Sequence, residues 1–205
     1  MKNATRIFAA TFGAIMALAG LEHGVGEILQ GSVAPAGIMI LSWPDSAFFR
    51  NLAGEPAMTL VPNLLLTGIL AVIASLALLL WSLLFVQRKH GGWVMILLSI
   101  LMLLVGGGIF PPVFGVLVGV VATRINAPAS PTKIRPLNGF QRFLVALWPF
   151  SYAVCILAWF AMFPAAYFFG EQYPLVIVAA LLLALGTLIL TMVSGFAKDR
   201  VSPAW

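Results

Sequence analysis

Four apolar segments dominate the sequence, and each exceeds the roughly 20 residues that a helix needs to cross a bilayer. They cover residues 6–28, 61–86, 143–169 and 173–196. Hydrophobic residues make up 62% of the chain and charged residues 8%, and a soluble domain of this length cannot bury so much apolar surface. Because lipid offers the backbone no hydrogen-bond partner, each segment is predicted to be helical. The sequence therefore predicts an all-α integral membrane protein with one domain, residues 1–205.

A fifth apolar segment, residues 93–123, has a strong break at its centre. An unbroken helix of this length would be about 46 Å long, which exceeds the thickness of the hydrocarbon core. Glycine and proline instead predict a helical hairpin, either re-entrant or made of two short tilted crossings. The residues that form the break are Gly106, Gly107, Gly108, Pro111 and Pro112.

The basic residues predict how the chain is oriented. If the hairpin returns to its starting side, ten of the 11 Lys and Arg residues share one face of the membrane, and only Arg50 lies on the other. If the segment crosses once, the basic residues divide more evenly. Because Lys and Arg are enriched in cytoplasmic loops, the first arrangement is favoured. It has four full transmembrane helices, the hairpin, and both termini in the cytoplasm.

The first apolar segment has a second interpretation. Lys2 and Arg6 precede an apolar stretch with a small-residue motif at 17–19, which is the pattern of a cleavable signal peptide. The helical apolar pattern continues to Leu29, and this favours a retained membrane helix. Cleavage would leave the downstream topology unchanged.

Two loops carry recognisable signals. In the loop 31–59, Ser42 resembles a helix start and Gly54 a helix stop, and the aromatic residues between them suit an interfacial helix. An apolar loop that covers the helix bundle explains them equally well. The loop 126–136 contains three prolines and is predicted to be an extended connector.

The ionisable residues Glu22, His23 and Glu27 are the main candidates for function, because charged groups inside membrane helices usually face a bundle interior or a cavity. His23, Glu27 and Gln30 share one helix face, so His23 and Glu27 are predicted to form a buried ionic pair. Glu22 lies about 100° from His23 and needs another partner. A stripe of small residues alongside predicts close helix packing: Gly13, Ala17, Gly20 and Gly24.

Three functions fit the His23–Glu27 pair. It can relay protons, supply two ligands of a metal site that normally needs three or four, or act as acid or base in an embedded enzyme. A structural role near the outer interface, in which the pair holds helices together, is the alternative to all three. We predict that Glu22, His23 and Glu27 bind an ion or ligand, with no metal centre and no cofactor.

No other cluster in the sequence supports an enzyme. His90 falls in a turn predicted to lie across the membrane from His23, and Cys155 lies in an apolar segment. Nucleophile motifs, phosphate loops and zinc-type spacings are absent. The net charge of +5 comes from short basic clusters between apolar segments, which indicate membrane topology and anionic headgroups rather than nucleic acid.

The acidic residues gather at the predicted outer side. A negative vestibule there would concentrate cations, although acids are also free to distribute once basic residues are confined to the inner side. Only Asp199 is predicted to lie inside. The acids assigned to the outer side are Glu22, Glu27, Asp45, Glu55 and Glu171.

Three parts of the sequence resemble a group of uncharacterised multi-pass membrane proteins of prokaryotes. They are the run Glu22-His23-Gly24-Val25-Gly26-Glu27-Ile28-Leu29-Gln30-Gly31, the run Gly54-Glu55-Pro56-Ala57-Met58 and the break at 106–112. The resemblance covers most of the chain. It implies a shared fold in the prokaryotic inner membrane and no known activity.

Three functions therefore remain open: a small transporter or channel-like protein, a membrane enzyme acting on a lipid-soluble substrate, or a non-catalytic assembly subunit. The expected partners are the lipid bilayer and a small cation or proton, and a homo- or hetero-oligomer also fits. A cavity joining His23, Glu27 and the break would favour the first two functions. A fully packed bundle would favour the third.

The orientation can be tested with single cysteines in a Cys155→Ser background. An impermeant thiol reagent added to intact cells should label Ser32→Cys and leave Ser130→Cys and Ser202→Cys unlabelled, because only position 32 is predicted to face outward. Labelling of Ser130→Cys from outside would contradict the return of the hairpin to its starting side.

Overall fold

The protein is described from a computed structural model that covers residues 3–46, 49, 54–126, 138–169 and 172–201. The helices are α1 (Asn3–Leu29), α2 (Leu64–Leu80), α3 (Gly91–Leu104), α4 (Phe110–Ala122), α5 (Gly139–Phe169) and α6 (Pro174–Val201). A π-helical turn (Trp81–Phe85) extends α2. Two short strands, β1 (Met39–Leu41) and β2 (Pro56–Met58), pair in antiparallel fashion within the loop between α1 and α2.

Four helices in the described part of the chain are long and apolar enough to cross a membrane. They coincide with the four long apolar segments of the sequence, and α3 and α4 are shorter apolar helices. The structure is therefore compatible with a membrane protein, whereas the number of crossings and the side of the termini stay predictions. The four helical stretches are Asn3–Leu29, Leu64–Phe85, Gly139–Met162 and Leu175–Val201.

Residues 9–124 form one compact unit, called here the larger unit. Within it, α1 packs through its small residues. A side chain at Gly13 would overlap the π-helical turn, and one at Gly20 would overlap α3. A Cβ atom at Gly24 would lie 2.9 Å from the carbonyl oxygen of Gly68, so the backbones of α1 and α2 approach closely there. The predicted small-residue stripe is confirmed as a helix-packing surface.

The glycine–proline break turns the chain back on itself, as predicted. The arms α3 and α4 contain 14 and 13 residues, which corresponds to about 20 Å each at 1.5 Å per residue. The two arms approach closely at Gly92, where an added Cβ atom would overlap the backbone of α4. Pro111 and Pro112 stand in the first turn of α4, where a missing N–H removes no intrahelical hydrogen bond.

The turn at residues 105–109, called here the hairpin tip, is attached to the segment that precedes α2. The amide of Leu60 donates to the carbonyl of Leu104 over 3.0 Å, and Thr59 forms an antiparallel bridge with Val105. Gly106 and Gly108 have φ angles of +96° and +82°, which residues with a side chain rarely adopt. The tip therefore requires glycine at these two positions.

The loop 31–59 contains the small sheet, and the helix predicted to begin at Ser42 is not present in residues 42–46. The pairing of β1 and β2 continues instead, because the amide of Ser42 donates to the carbonyl of Glu55 over 3.1 Å. Trp43 stacks on Phe49 with ring centroids 5.6 Å apart and lies over Gly26 of α1. The rest of the predicted helix, and the connector 126–136 beyond residue 126, lie outside the described residues.

Residues 3–8 and the described part of 125–201 form the second unit. In it, α5 packs along α6 and continues through Pro149 and Pro164. Asp199 in the last turn of α6 accepts hydrogen bonds from the amides of Ala4 (2.8 Å) and Thr5 (2.9 Å). Amides in the first turn of a helix have no intrahelical acceptor. The carboxylate therefore caps α1 and holds its start beside the end of α6.

The capping role of Asp199 predicts a stability effect. Asp199→Ala should lower the free energy of unfolding by about 1 kcal/mol, because it leaves first-turn amides of α1 without their acceptor. Asp199→Asn keeps one acceptor oxygen, so it should lower the free energy of unfolding by less than Asp199→Ala does. The measurement is thermal unfolding in detergent, with the exposed Arg200→Ala as control. Equal stability of Asp199→Ala and Arg200→Ala would argue against the cap.

Candidate functional site

The candidate site lies in the larger unit, near the end of α1. His23 is 2% exposed and Glu27 is 0% exposed. The two side chains stand one helical turn apart, as the i, i+4 spacing requires. The expectation that both face the interior of the helix packing is confirmed.

An ion pair and two hydrogen bonds form a continuous chain of polar contacts from the loop sheet to Glu27. Glu55 Oε2 lies 3.1 Å from His23 Nε2, and His23 Nδ1 lies 2.9 Å from Ser42 Oγ. The Ser42 hydroxyl in turn donates to Glu27 Oε1 over 3.2 Å. The predicted direct pairing of His23 with Glu27 is therefore wrong. His23 pairs with Glu55, and Ser42 stands between the imidazole and the Glu27 carboxylate.

Strand pairing places Ser42 and Glu55 at this position. Ser42 directly follows β1, and Glu55 directly precedes β2. The end of β1 is held against α1 by the side-chain amide of Gln30, which donates to the carbonyls of Leu41 (2.9 Å) and Ser42 (3.0 Å). Gly54 and Glu55 both have positive φ, at +72° and +55°, so the chain turns tightly as it enters β2.

The hairpin tip packs against the same two side chains. A Cβ atom at Gly106 would overlap the Glu27 carboxylate, and one at Gly108 would overlap the His23 imidazole. The tip backbone therefore packs directly on both groups, so at this contact the structure has close packing and not the cavity considered for a transporter or an enzyme. Glu27 Oε2 is buried there and has no hydrogen-bond partner among the described residues.

Glu22 completes a group around the imidazole. Glu22, His23 and Glu55 each offer one potential ligand atom, and these atoms all lie within 4.8 Å of one another. The helical spacing predicts that Glu22 points away from His23, but the loop sheet places the Glu55 carboxylate close to both side chains. In the part of the chain that the structure describes, neither Glu22 Oε1 nor the Trp43 indole N–H makes a well-formed hydrogen bond, although both are buried.

Neither His90 nor Asp45 belongs to this group. His90 is exposed in the turn before α3, at the opposite end of the hairpin from its tip. Asp45 is exposed, Cys155 is buried in α5, and Glu171 lies outside the described residues. Of the acids assigned to the outer side, Glu22, Glu27 and Glu55 come together.

The sequence patterns do not identify two residues of the candidate site. Ser42 resembles a helix start in the sequence, and Glu55 is one of several acidic residues in loops. The nearest signal is the run Gly54-Glu55-Pro56, in which a charged residue sits between two turn-forming residues of a largely apolar loop. Only the pairing of β1 with β2 shows that both residues reach His23.

Comparison of this chain with protein-family models, curated proteins and solved structures found no match. The resemblance to multi-pass membrane proteins of prokaryotes therefore stays a prediction, and so does any ligand of Glu22, His23 and Glu27. The side chains themselves offer an imidazole, a hydroxyl and three carboxylates. These groups can exchange protons or bind a divalent cation.

The contact between the hairpin tip and Glu27 can be tested with a matched pair of glycines. Gly106→Ala should destabilise the protein more than Gly31→Ala, by about 1–3 kcal/mol, the usual cost of forcing an atom into a packed interior. Both glycines have positive φ, but a Cβ atom added at Gly31 would meet nothing within 4 Å, so Gly31→Ala reports backbone strain alone. Thermal unfolding in detergent measures the difference. Equal losses of stability would mean that a Cβ atom at Gly106 does not overlap the Glu27 carboxylate.

Proposed function

We propose that this chain is a multi-pass integral membrane protein, a small transporter or channel-like protein that takes up protons through the chain Glu55–His23–Ser42–Glu27. The observation that carries the proposal is the unbroken sequence of polar contacts, namely the close His23–Glu55 pair at 3.1 Å and two hydrogen bonds of 2.9 and 3.2 Å. Each link joins groups that can donate or accept a proton. Such chains of ionisable groups inside membrane helices are typical of proton pathways.

The chain has two complete hydrogen-bonding polarities. In one, protonated Glu55 donates to Nε2 of His23, Nδ1–H donates to Ser42, and the Ser42 hydroxyl donates to ionised Glu27. In the other, every proton has moved one link, so protonated Glu27 donates to Ser42 and Nε2–H donates to ionised Glu55. When the first arrangement converts to the second, each donor atom loses its hydrogen and each acceptor atom gains one. The net result is transfer of one proton from Glu55 to Glu27.

The burial of its two ends gives this chain a direction. The side chain of Glu55 is 17% exposed, whereas Glu27 is fully buried beneath the broken backbone of the hairpin tip. A proton can therefore enter at the loop sheet and arrive inside the helix packing. Broken helices that meet ionisable groups at membrane depth are a feature of transporters.

Three buried hydroxyl groups lie along α2 and its π-helical extension. Thr67 lies beside Gly106 of the hairpin tip, and Ser75 and Ser82 follow at intervals of eight and seven residues. All three are 0% exposed. These intervals return to roughly the same helix face and place the hydroxyls about 11–12 Å apart along the axis. A proton that leaves Glu27 along this face would need water between the hydroxyls, because each of them already bonds to a neighbouring group.

Proton passage can be measured with the purified protein in liposomes that contain a trapped pH-sensitive dye. Under an imposed potential, wild type should acidify the lumen faster than empty liposomes do. Glu27→Gln should slow this by about tenfold or more, because the amide cannot take up the transferred proton. Ser42→Ala should act similarly, since it interrupts the chain while leaving every carboxylate in place.

The matched control is Asp45→Asn, which removes one exposed acid from the same loop. It should transport protons at the wild-type rate. Thermal unfolding establishes that each variant is folded. A wild type no faster than empty liposomes, or a folded Glu27→Gln with an unchanged rate, would contradict the proposal and support a structural role.

A further inference from the structure

The geometry points to a second ligand for this region: a divalent transition-metal ion held by His23 Nε2 and by carboxylate oxygens of Glu22 and Glu55. The site shares two residues with the proposed proton chain. It does not depend on proton transport, because binding requires only the three ligands and their surroundings.

The three ligand atoms converge from two separate parts of the fold. Glu22 and His23 are neighbours on α1, and Glu55 arrives from the turn before β2. Their ligand atoms lie within 4.8 Å of one another, and metal–ligand bonds of about 2.1 Å bring them closer with small rotations of the two glutamates. One nitrogen and two carboxylate oxygens are a sufficient protein ligand set for a metal that keeps open positions.

The hydrogen bonds of His23 give an independent reason for a cation at Nε2. The hydroxyl of Ser42 has one hydrogen, which it donates to Glu27 Oε1, so its oxygen accepts the hydrogen of His23 Nδ1. In a neutral imidazole the remaining nitrogen, Nε2, then carries a lone pair. That lone pair faces Glu55 Oε2 at 3.1 Å. Two acceptors at this distance repel each other unless a proton or a metal ion lies between them.

The surroundings of His23 also match those of metal-bound histidines. A histidine ligand normally donates its second ring N–H to an oxygen acceptor, which sets its tautomer and its orientation. Ser42 provides that acceptor, and Glu27 polarises Ser42 from the other side. Glu27 is 0% exposed, and its Oε2 has no hydrogen-bond partner among the described residues. The group therefore gathers three carboxyl groups around one imidazole.

The ligand types indicate the class of metal. An imidazole with two carboxylates suits first-row ions such as Zn²⁺, Co²⁺ or Mn²⁺ better than Mg²⁺, which prefers oxygen ligands and keeps its water. Three protein ligands leave positions open to water or to a passing ligand. The site therefore binds such an ion reversibly, and a proton on Nε2 competes with it.

Metal binding can be measured on the full chain in detergent after treatment with a chelator. Co²⁺ should give visible absorption bands at one equivalent, and Zn²⁺ should displace it while excess Mg²⁺ does not. Glu22→Gln and Glu55→Gln should each weaken Zn²⁺ binding by about tenfold or more, since each removes one anionic ligand. Asp45→Asn should bind as wild type does. Thermal unfolding without metal confirms the fold of each variant.

Two variants separate this inference from proton transport. Glu22 lies outside the proton chain, so Glu22→Gln should lose Zn²⁺ affinity and keep proton passage. Glu27→Gln keeps all three metal ligands and changes only a group that acts on His23 through Ser42, so it should lose proton passage and weaken Zn²⁺ binding less than Glu55→Gln does. Absence of a Co²⁺ spectrum in wild type, or unchanged Zn²⁺ affinity in both folded Glu22→Gln and Glu55→Gln, would overturn the metal site. Neither result would affect the measurement of proton passage.

Discussion

The hairpin tip rests on the Glu27 carboxylate and the His23 imidazole, and the arrangement of the larger unit depends on this contact. A buried ionisable group is stable only with suitable partners around it. Here the polar partners are Ser42 and Glu55 of the loop sheet, and the tip backbone can pack against both groups because Gly106 and Gly108 have no side chains. Their positive φ angles also make the turn that sends α4 back along α3. One pair of glycines therefore serves both the fold of the hairpin and the surroundings of the site.

The small sheet holds the other side of the site in place. Residues Ser42 and Glu55 flank the two strands, and Gln30 attaches the sheet to the end of α1. Because backbone hydrogen bonds set the register, the hydroxyl and the carboxylate reach His23 in defined positions. The imidazole lies between the loop sheet and the hairpin tip, and a side chain held by contacts in this way has less freedom to lose when it binds a proton or an ion.

The Nε2 atom of His23 connects the two proposed activities. A proton there completes the chain from Glu55 to Glu27, and a metal ion there joins Glu55 and Glu22. The two ligands exclude each other, so their affinities are linked through one nitrogen atom. A cation bound at this position would interrupt proton entry. The same residues therefore provide a physical basis for coupling proton transfer to cation binding, or for inhibition of proton transfer by the cation, without a change of fold.

The amino-acid sequence by itself determined the long apolar helices, the break at 106–112, the small-residue face of α1 and the burial of His23 and Glu27. These features depend on local composition and helical period, which short stretches of chain contain. Tertiary structure alone decided the partners of the buried groups. Glu55 is distant from His23 in the sequence and reaches it through the pairing of β1 with β2. The i, i+4 spacing predicts a direct pair with Glu27, but Ser42 occupies that place, because a buried polar group bonds to whichever partner the packed chain brings within reach.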